Sequence, residues 1–250
     1  MTTPARATLA LALALPLLAA PFVARPADVE ITWDRDLAQE WDRASYEKTL
    51  REFVEEGLEE SAGWLGITPS RPIKLNVLTR ARYEAQFGSD AAWSQGAHYQ
   101  NGAIQTNGGA RLNGSFAGLL AHELAHALLD HRGTGGRLPQ WLNEGIAERI
   151  GWRRRGVEQL DGVQVNQLES ALDQRTLLPL PRGGRLSAFG YLQSFAAVLF
   201  LESKLGTDRL LAVVRRTVDK DSFERALEAE GSMTLRQVDE GFTYWVDHLQ

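Results

Sequence analysis

The stretch Ser115-Phe116-Ala117-Gly118-Leu119-Leu120-Ala121-His122-Glu123-Leu124-Ala125-His126-Ala127-Leu128-Leu129 decides how the rest of the chain is read. It is apolar nearly all round, as a helix enclosed by the fold must be, and Ser115 is the expected N-cap. The polar exceptions are His122, Glu123 and His126. Each helical residue advances roughly 100°, so imidazoles at i and i+4 lie on one face a turn apart. They can therefore share one ion. Glu123 projects beside that ion, where a carboxylate can take a proton from water rather than ligate. Burying these three groups in an apolar helix costs on the order of several kcal/mol unless they are paired. A cation offsets that cost, because all three interact favourably with it.

Two histidines leave a zinc site short of a ligand. The loop Gly133 to Arg137 is short and glycine-rich, which lets the next helix return antiparallel. That helix begins at Pro139, a residue suited to a first turn, and runs to about Trp152 through Gln140-Trp141-Leu142-Asn143-Glu144-Gly145-Ile146-Ala147-Glu148. Glu144 and Glu148 repeat the i, i+4 spacing. Like charges so placed repel by about 0.2–0.5 kcal/mol on an isolated helix and become favourable only near a cation. Glu144 is the expected third ligand, completing a Zn2+ site with His122 and His126. The cations Arg153, Arg154 and Arg155 follow, where they are expected to meet the negative end of the helix dipole.

Composition sets the surroundings. The 250 residues are 44% hydrophobic and 24% charged, ordinary for a globular chain with one core or two small lobes. The net charge of -5 and the scattered basic residues make nucleic acid an unexpected partner. There are no cysteines, so disulfides, thiolate ligands and a lipid-anchored cysteine are excluded; a metal must use imidazole and carboxylate. Arg6, the apolar run Leu9 to Ala20 and then Pro21 read as a secretory signal, residues 1–27, with the mature chain starting near Asp28. The run falls short of the ~20 residues of a bilayer span. An uncleaved N-terminal anchor is the alternative, and in either case the protein is expected to be exported, periplasmic or secreted.

Periodicity supplies the remaining elements. Trp33 to Trp64 carries apolar residues at helical intervals, as one long helix or two short ones. Pro72 to Leu78 alternates as a strand, Ala81 to Phe87 is a short helix, and Ala97 to Thr106 is a strand interrupted by Asn101-Gly102, which marks a turn or an edge strand. Helices follow over Val163 to Leu172, Ser187 to Leu205, Asp208 to Val218, Ser222 to Ala229 and Thr234 to Leu249. The expected fold class is α+β. A small mixed α/β N-terminal lobe, about 28–135, faces an all-helical C-terminal lobe, about 136–250, across a cleft.

The motifs H-E-L-A-H and W-L-N-E-G-I-A-E, seventeen residues apart between His126 and Glu144, resemble those of the gluzincin metallopeptidases, the thermolysin-like and aminopeptidase-like enzymes. The nearest resemblance is to exported proteins with peptidase MA-like domains. It is strong from Ser115 to Trp152 and weaker from Leu177 to Gly206. It implies a thermolysin-like zincin fold, zinc as cofactor, a peptide or protein substrate, and Glu123 as general base. It further implies that Glu148 orients a ligating histidine, with Asp130 the second candidate for that work. Tyr191, early in its helix, is the expected electrophile for the oxyanion, ahead of His131 and His98. His248, near the terminus, is expected at the surface. Such enzymes bind extended peptide along an edge strand; here Gly102, Ala103, Ile104, Gln105 and Thr106 are the expected strand. The aminopeptidase branch carries a glutamate where this chain has Gln105, which favours an endopeptidase. Two other functions share these features: a noncatalytic exported binding or assembly factor, and a zinc hydrolase of nonpeptide amides. Intact Glu123 favours an enzyme over the binding factor.

Overall fold

The computed structural model describes residues 28–39, 43–89, 96–130, 137–181, 183–184 and 186–249. The expected signal at 1–27, His131 and nearly all of the loop before Pro139 lie outside them. Among the described residues the fold is mixed α/β, a four-stranded sheet followed by helices only. No helix among them is long and apolar enough to cross a membrane.

The sheet contains β1 (Val29–Trp33), β2 (Ile73–Leu78), β3 (Ala97–Gln100) and β4 (Ala103–Asn107), in the order β1-β2-β4-β3. The first three neighbours run parallel, β1 to β2 and β2 to β4, and β3 closes the sheet antiparallel to β4. Helix α1 (Arg43–Leu65) makes the crossover from β1 to β2, and α2 (Arg80–Phe87), capped by the Thr79 hydroxyl, lies in the connection from β2. Trp33 thus ends a strand rather than starting a helix. Val29, Ile31 and Trp33 are only three alternating residues, too few to outweigh the helical period that follows them.

Asn101 and Gly102 both hold positive φ, 53° and 78°, the geometry of a tight hairpin turn whose twist suits its strands. This corrects the expected substrate strand. Ala103, Ile104, Gln105 and Thr106 belong to β4, bonded to β2 on one side and β3 on the other, and Gly102 lies in the turn. With both flanks paired, and Ala103 and Ile104 buried, β4 has no open edge to offer. Among the described residues the open edge beside the motif helix is β3.

That helix, α3 (Gly114–Leu129), is capped by Asn113, whose side chain accepts from the Phe116 N–H at 3.0 Å. The expected cap, Ser115, lies one residue inside the helix. Helix α3 is enclosed by the sheet, by α1 and by α4 (Gln140–Arg154), and α4 packs in turn on α6 (Ala188–Leu205). Helices α5 (Gly162–Asp173), α7 (Thr207–Asp219), α8 (Phe223–Ala226) and α9 (Leu235–Val246), with a 3-10 turn at Arg35–Gln39 and a π-helical turn at Leu227–Gly231, complete the described chain. Glycine sets the two crossings of α4. A Cβ at Gly151 would stand 2.8 Å from the Gly118 carbonyl of α3, and one at Gly145 would meet the Ser194 carbonyl and stand 2.7 Å from Val198 Cγ2 of α6. Arg154, expected only to face the helix dipole, pairs with Glu56 and Glu60 of α1.

Candidate metal centre

Helices α3 and α4 meet along two matched faces. Gly118, His122 and His126 repeat every fourth residue on α3; Glu144, Glu148 and Gly151 form the opposing row on α4. His126 Nε2 is 3.3 Å from Glu144 Oε2, His122 Nδ1 is 3.4 Å from Glu148 Oε1, and the two glycines touch. The helices are therefore antiparallel, and the glycine contact lets them approach closely enough for the side chains to converge.

His122 Nε2 and His126 Nε2 lie 3.0 Å apart, and Glu144 Oε2 lies 3.3 Å from the second and 3.7 Å from the first. Atoms ~2.0–2.1 Å from a tetrahedral zinc stand ~3.4 Å from one another, so the three separations fit one ion. Hydrogen bonding supports the same conclusion. Asn143 Oδ1 lies 3.0 Å from His126 Nδ1, and Glu148 Oε1 faces His122 Nδ1. Acceptors at both Nδ1 positions select the tautomers in which both Nε2 atoms carry lone pairs. With both imidazoles neutral the two facing lone pairs repel; in the metal-free site a proton on His126 relieves this, and a metal ion in its place would turn the same lone pairs into ligands. The His122, Glu123 and His126 donor atoms lie within 4.8 Å of one another, a group that can hold a metal ion.

Burial governs the electrostatics. It is the main cause holding His122 well below the usual imidazole range, with the charges of His126, Arg155 and His98 adding to it. For His126 burial also acts downward, but hydrogen bonding and charge from Glu144, with Glu123 and Asn143, carry it up to about 9. Glu123 is pushed up to about 7 by burial, against the opposing influence of His126 and of the Tyr99 N–H. A carboxylate poised near neutral pH can both accept and return a proton.

Tyr99 connects the sheet edge to this group. Its backbone N–H donates to Glu123 Oε2 at 2.6 Å, and its hydroxyl donates to Asp130 Oδ2 at 2.7 Å. The Asn107 N–H donates to the Gly96 carbonyl, and alternation along an antiparallel pair then turns the Tyr99 peptide groups outward from β4. Asp130 thus anchors Tyr99, while the place beside His126 Nδ1 is filled by Asn143. Glu148 also accepts from Trp152 Nε1 at 2.7 Å. His98 is stacked among Tyr83 and Phe87. Tyr191 is half-buried in the first turn of α6, the helix behind α4, and His248 is exposed.

The sequence assigned no role to Asn143 or Tyr99. Asn143 stands one residue before Glu144, and its seventeen-residue separation from His126 was the only available signal; Tyr99 acts through its backbone, which no side-chain pattern marks. Compared with known proteins, the chain matches no family model and no curated protein.

Proposed function

We propose that the protein is a zinc-dependent peptidase of the gluzincin type, probing peptide bonds in a cleft between α3, α4 and the β3 edge. The observation that carries this is the convergence of His122 Nε2, His126 Nε2 and Glu144 Oε2, with the Glu123 carboxylate on the same helix turned toward β3. His122, His126 and Glu144 would hold the zinc. When bound, zinc acts as a Lewis acid, polarising a carbonyl and lowering the pKa of water toward ~7. Glu123 takes the proton from the attacking water and delivers it to the leaving amine. Asn143 and Glu148 keep the imidazoles turned, and Tyr191 is proposed to steady the oxyanion.

The Tyr99 N–H at the outward side of β3 is taken by Glu123, so an extended substrate backbone would meet the Tyr99 carbonyl and the Ala97 peptide groups, as in strand addition. This supports an endopeptidase with thermolysin-like lobes, the sheet-bearing half on one side and the helical half on the other. Export to the periplasm or beyond belongs to the same proposal, on the strength of residues 1–27.

The test compares wild type with Glu123→Gln for zinc content and for hydrolysis of a pooled unstructured peptide. Wild type is expected to hold about one zinc and cleave, and the variant to hold zinc with activity reduced at least about a hundredfold. Zinc without cleavage in either protein would favour a noncatalytic binding factor. No zinc in either would remove the site.

A further inference from the structure

A cavity of about 640 Å³ opens beside His122 and Glu148. That is within the roughly 300–1,000 Å³ of small-ligand sites, and of the three proposed zinc ligands His122 lines it. Its apolar lining includes Phe116 and Leu119 of α3. Its charged lining is unbalanced: Arg80, Arg111 and Arg155 against Glu148. Glu148 is already engaged by His122 and Trp152, and Arg80 is paired with Glu84 at 2.6 Å. Among the described residues neither Arg111 nor Arg155 has a carboxylate within ion-pair distance, although the charge of Arg155 acts at longer range on Glu148.

Arg155 is held in a particular position. Its stem crosses α3 over Gly118, where a Cβ would lie 2.7 Å from its Cγ and 2.8 Å from its Cδ. Its guanidinium stands over the Trp152 ring at 5.0 Å, and its Nε donates to the Gly151 carbonyl at 3.3 Å. Among the described residues both Nη groups are left as donors. Asn113 and Ser115, at the amino end of α3, line the same cavity, and the positive end of that helix dipole reinforces the two cations.

We propose that this cavity binds a carboxylate of the substrate, held by Arg111 and Arg155, so that the protein prefers peptides bearing an acidic side chain or a free C-terminus on that side of the scissile bond. The proposal rests on the peptidase function above. The two sources of carboxylate share one chemistry, and the planar, doubly donating guanidinium suits both.

The test uses Ala-rich peptides differing only in Glu or Gln beside the cleaved bond, each with a free or an amidated C-terminus. Wild type is expected to show about tenfold higher kcat/KM for peptides carrying the carboxylate. The arm that holds the preference identifies its source. Arg155→Met and Arg111→Ser should each bring the ratio of acidic to neutral peptide toward one, and Arg111→Glu, at an exposed position, should reverse it. Equal cleavage of acidic and neutral peptides by wild type, or a ratio that survives these variants, overturns the proposal and leaves the peptidase function standing. If no peptide is cleaved, the peptidase function fails instead. Anisotropy of the labelled Glu and Gln peptides on zinc-loaded Glu123→Gln then decides about the cavity: tighter Glu binding that Arg111→Ser abolishes supports it, and equal binding overturns it.

Discussion

Glu123 is at odds with the stability of its own helix. A free glutamate titrates near 4.5, whereas burial raises Glu123 to about 7. Between those values the unfolded chain gives up a proton that the folded chain keeps, so stability falls as pH rises from 4.5 through 7, and above 7 the whole cost is carried. A shift of that size corresponds to up to ~3 kcal/mol. In chelator-treated protein, Glu123→Gln is expected to be more stable than wild type by ~1–3 kcal/mol at pH 8 and nearly equal to it near pH 4, as read by urea unfolding. A variant no more stable than wild type at pH 8 would mean the native site already satisfies the carboxylate. At this scale the sequence was most informative about residues defined by spacing on one helix. His122, Glu123 and His126 are local, and Glu144 needed only a short return. Asn143 and Tyr99 depend on how closely a second helix and a strand approach, which local spacing does not encode.

Between elements, the decisive contacts are made where side chains are missing. A Cβ at Gly145 meets the Ser194 carbonyl, which is backbone and cannot swing aside, whereas one at Gly57 meets the movable tip of Leu124 at 3.1 Å. Gly145→Ala is therefore expected to cost about 3 kcal/mol and Gly57→Ala about 1 kcal/mol or less, measured by chemical denaturation. Equal costs would refute a backbone-limited crossing of α4 and α6. The helices after Pro139 were legible within about three residues, because period and caps such as Ser187 and Thr234 act locally. Strand order was not. Whether β4 or β3 forms the edge is decided by which strand β2 accepts as a partner, a contact between residues about thirty apart in the chain.

Across the whole molecule, the cluster joins α3, anchored to the sheet through Tyr99, to α4, which carries the packing of α6. An ion bound there links the two halves of the core and favours the folded state by mass action, about 2.7 kcal/mol at a hundredfold excess over Kd. For a chain of this length that predicts a Tm lower by at least about 5 °C after chelation, reversed by added zinc, in scanning calorimetry. An unchanged Tm would show that the cluster takes up no metal. The buried Arg149–Glu202 pair, 2.8 Å apart between α4 and α6, is the corresponding metal-independent link.

Tyr99 is tied at both ends, its backbone to the proton-carrying group and its ring to Asp130 at the far end of α3. It behaves as a strut with two fixed ends, and the sheet edge cannot slide along the helix without pulling on one of them. A displacement of about an ångström at β3 is enough to break a hydrogen bond of ordinary length and so to re-aim the carboxylate. In the proposed peptidase the border of the sheet would thus work as a safety catch, with proton transfer in register only while the strand is seated.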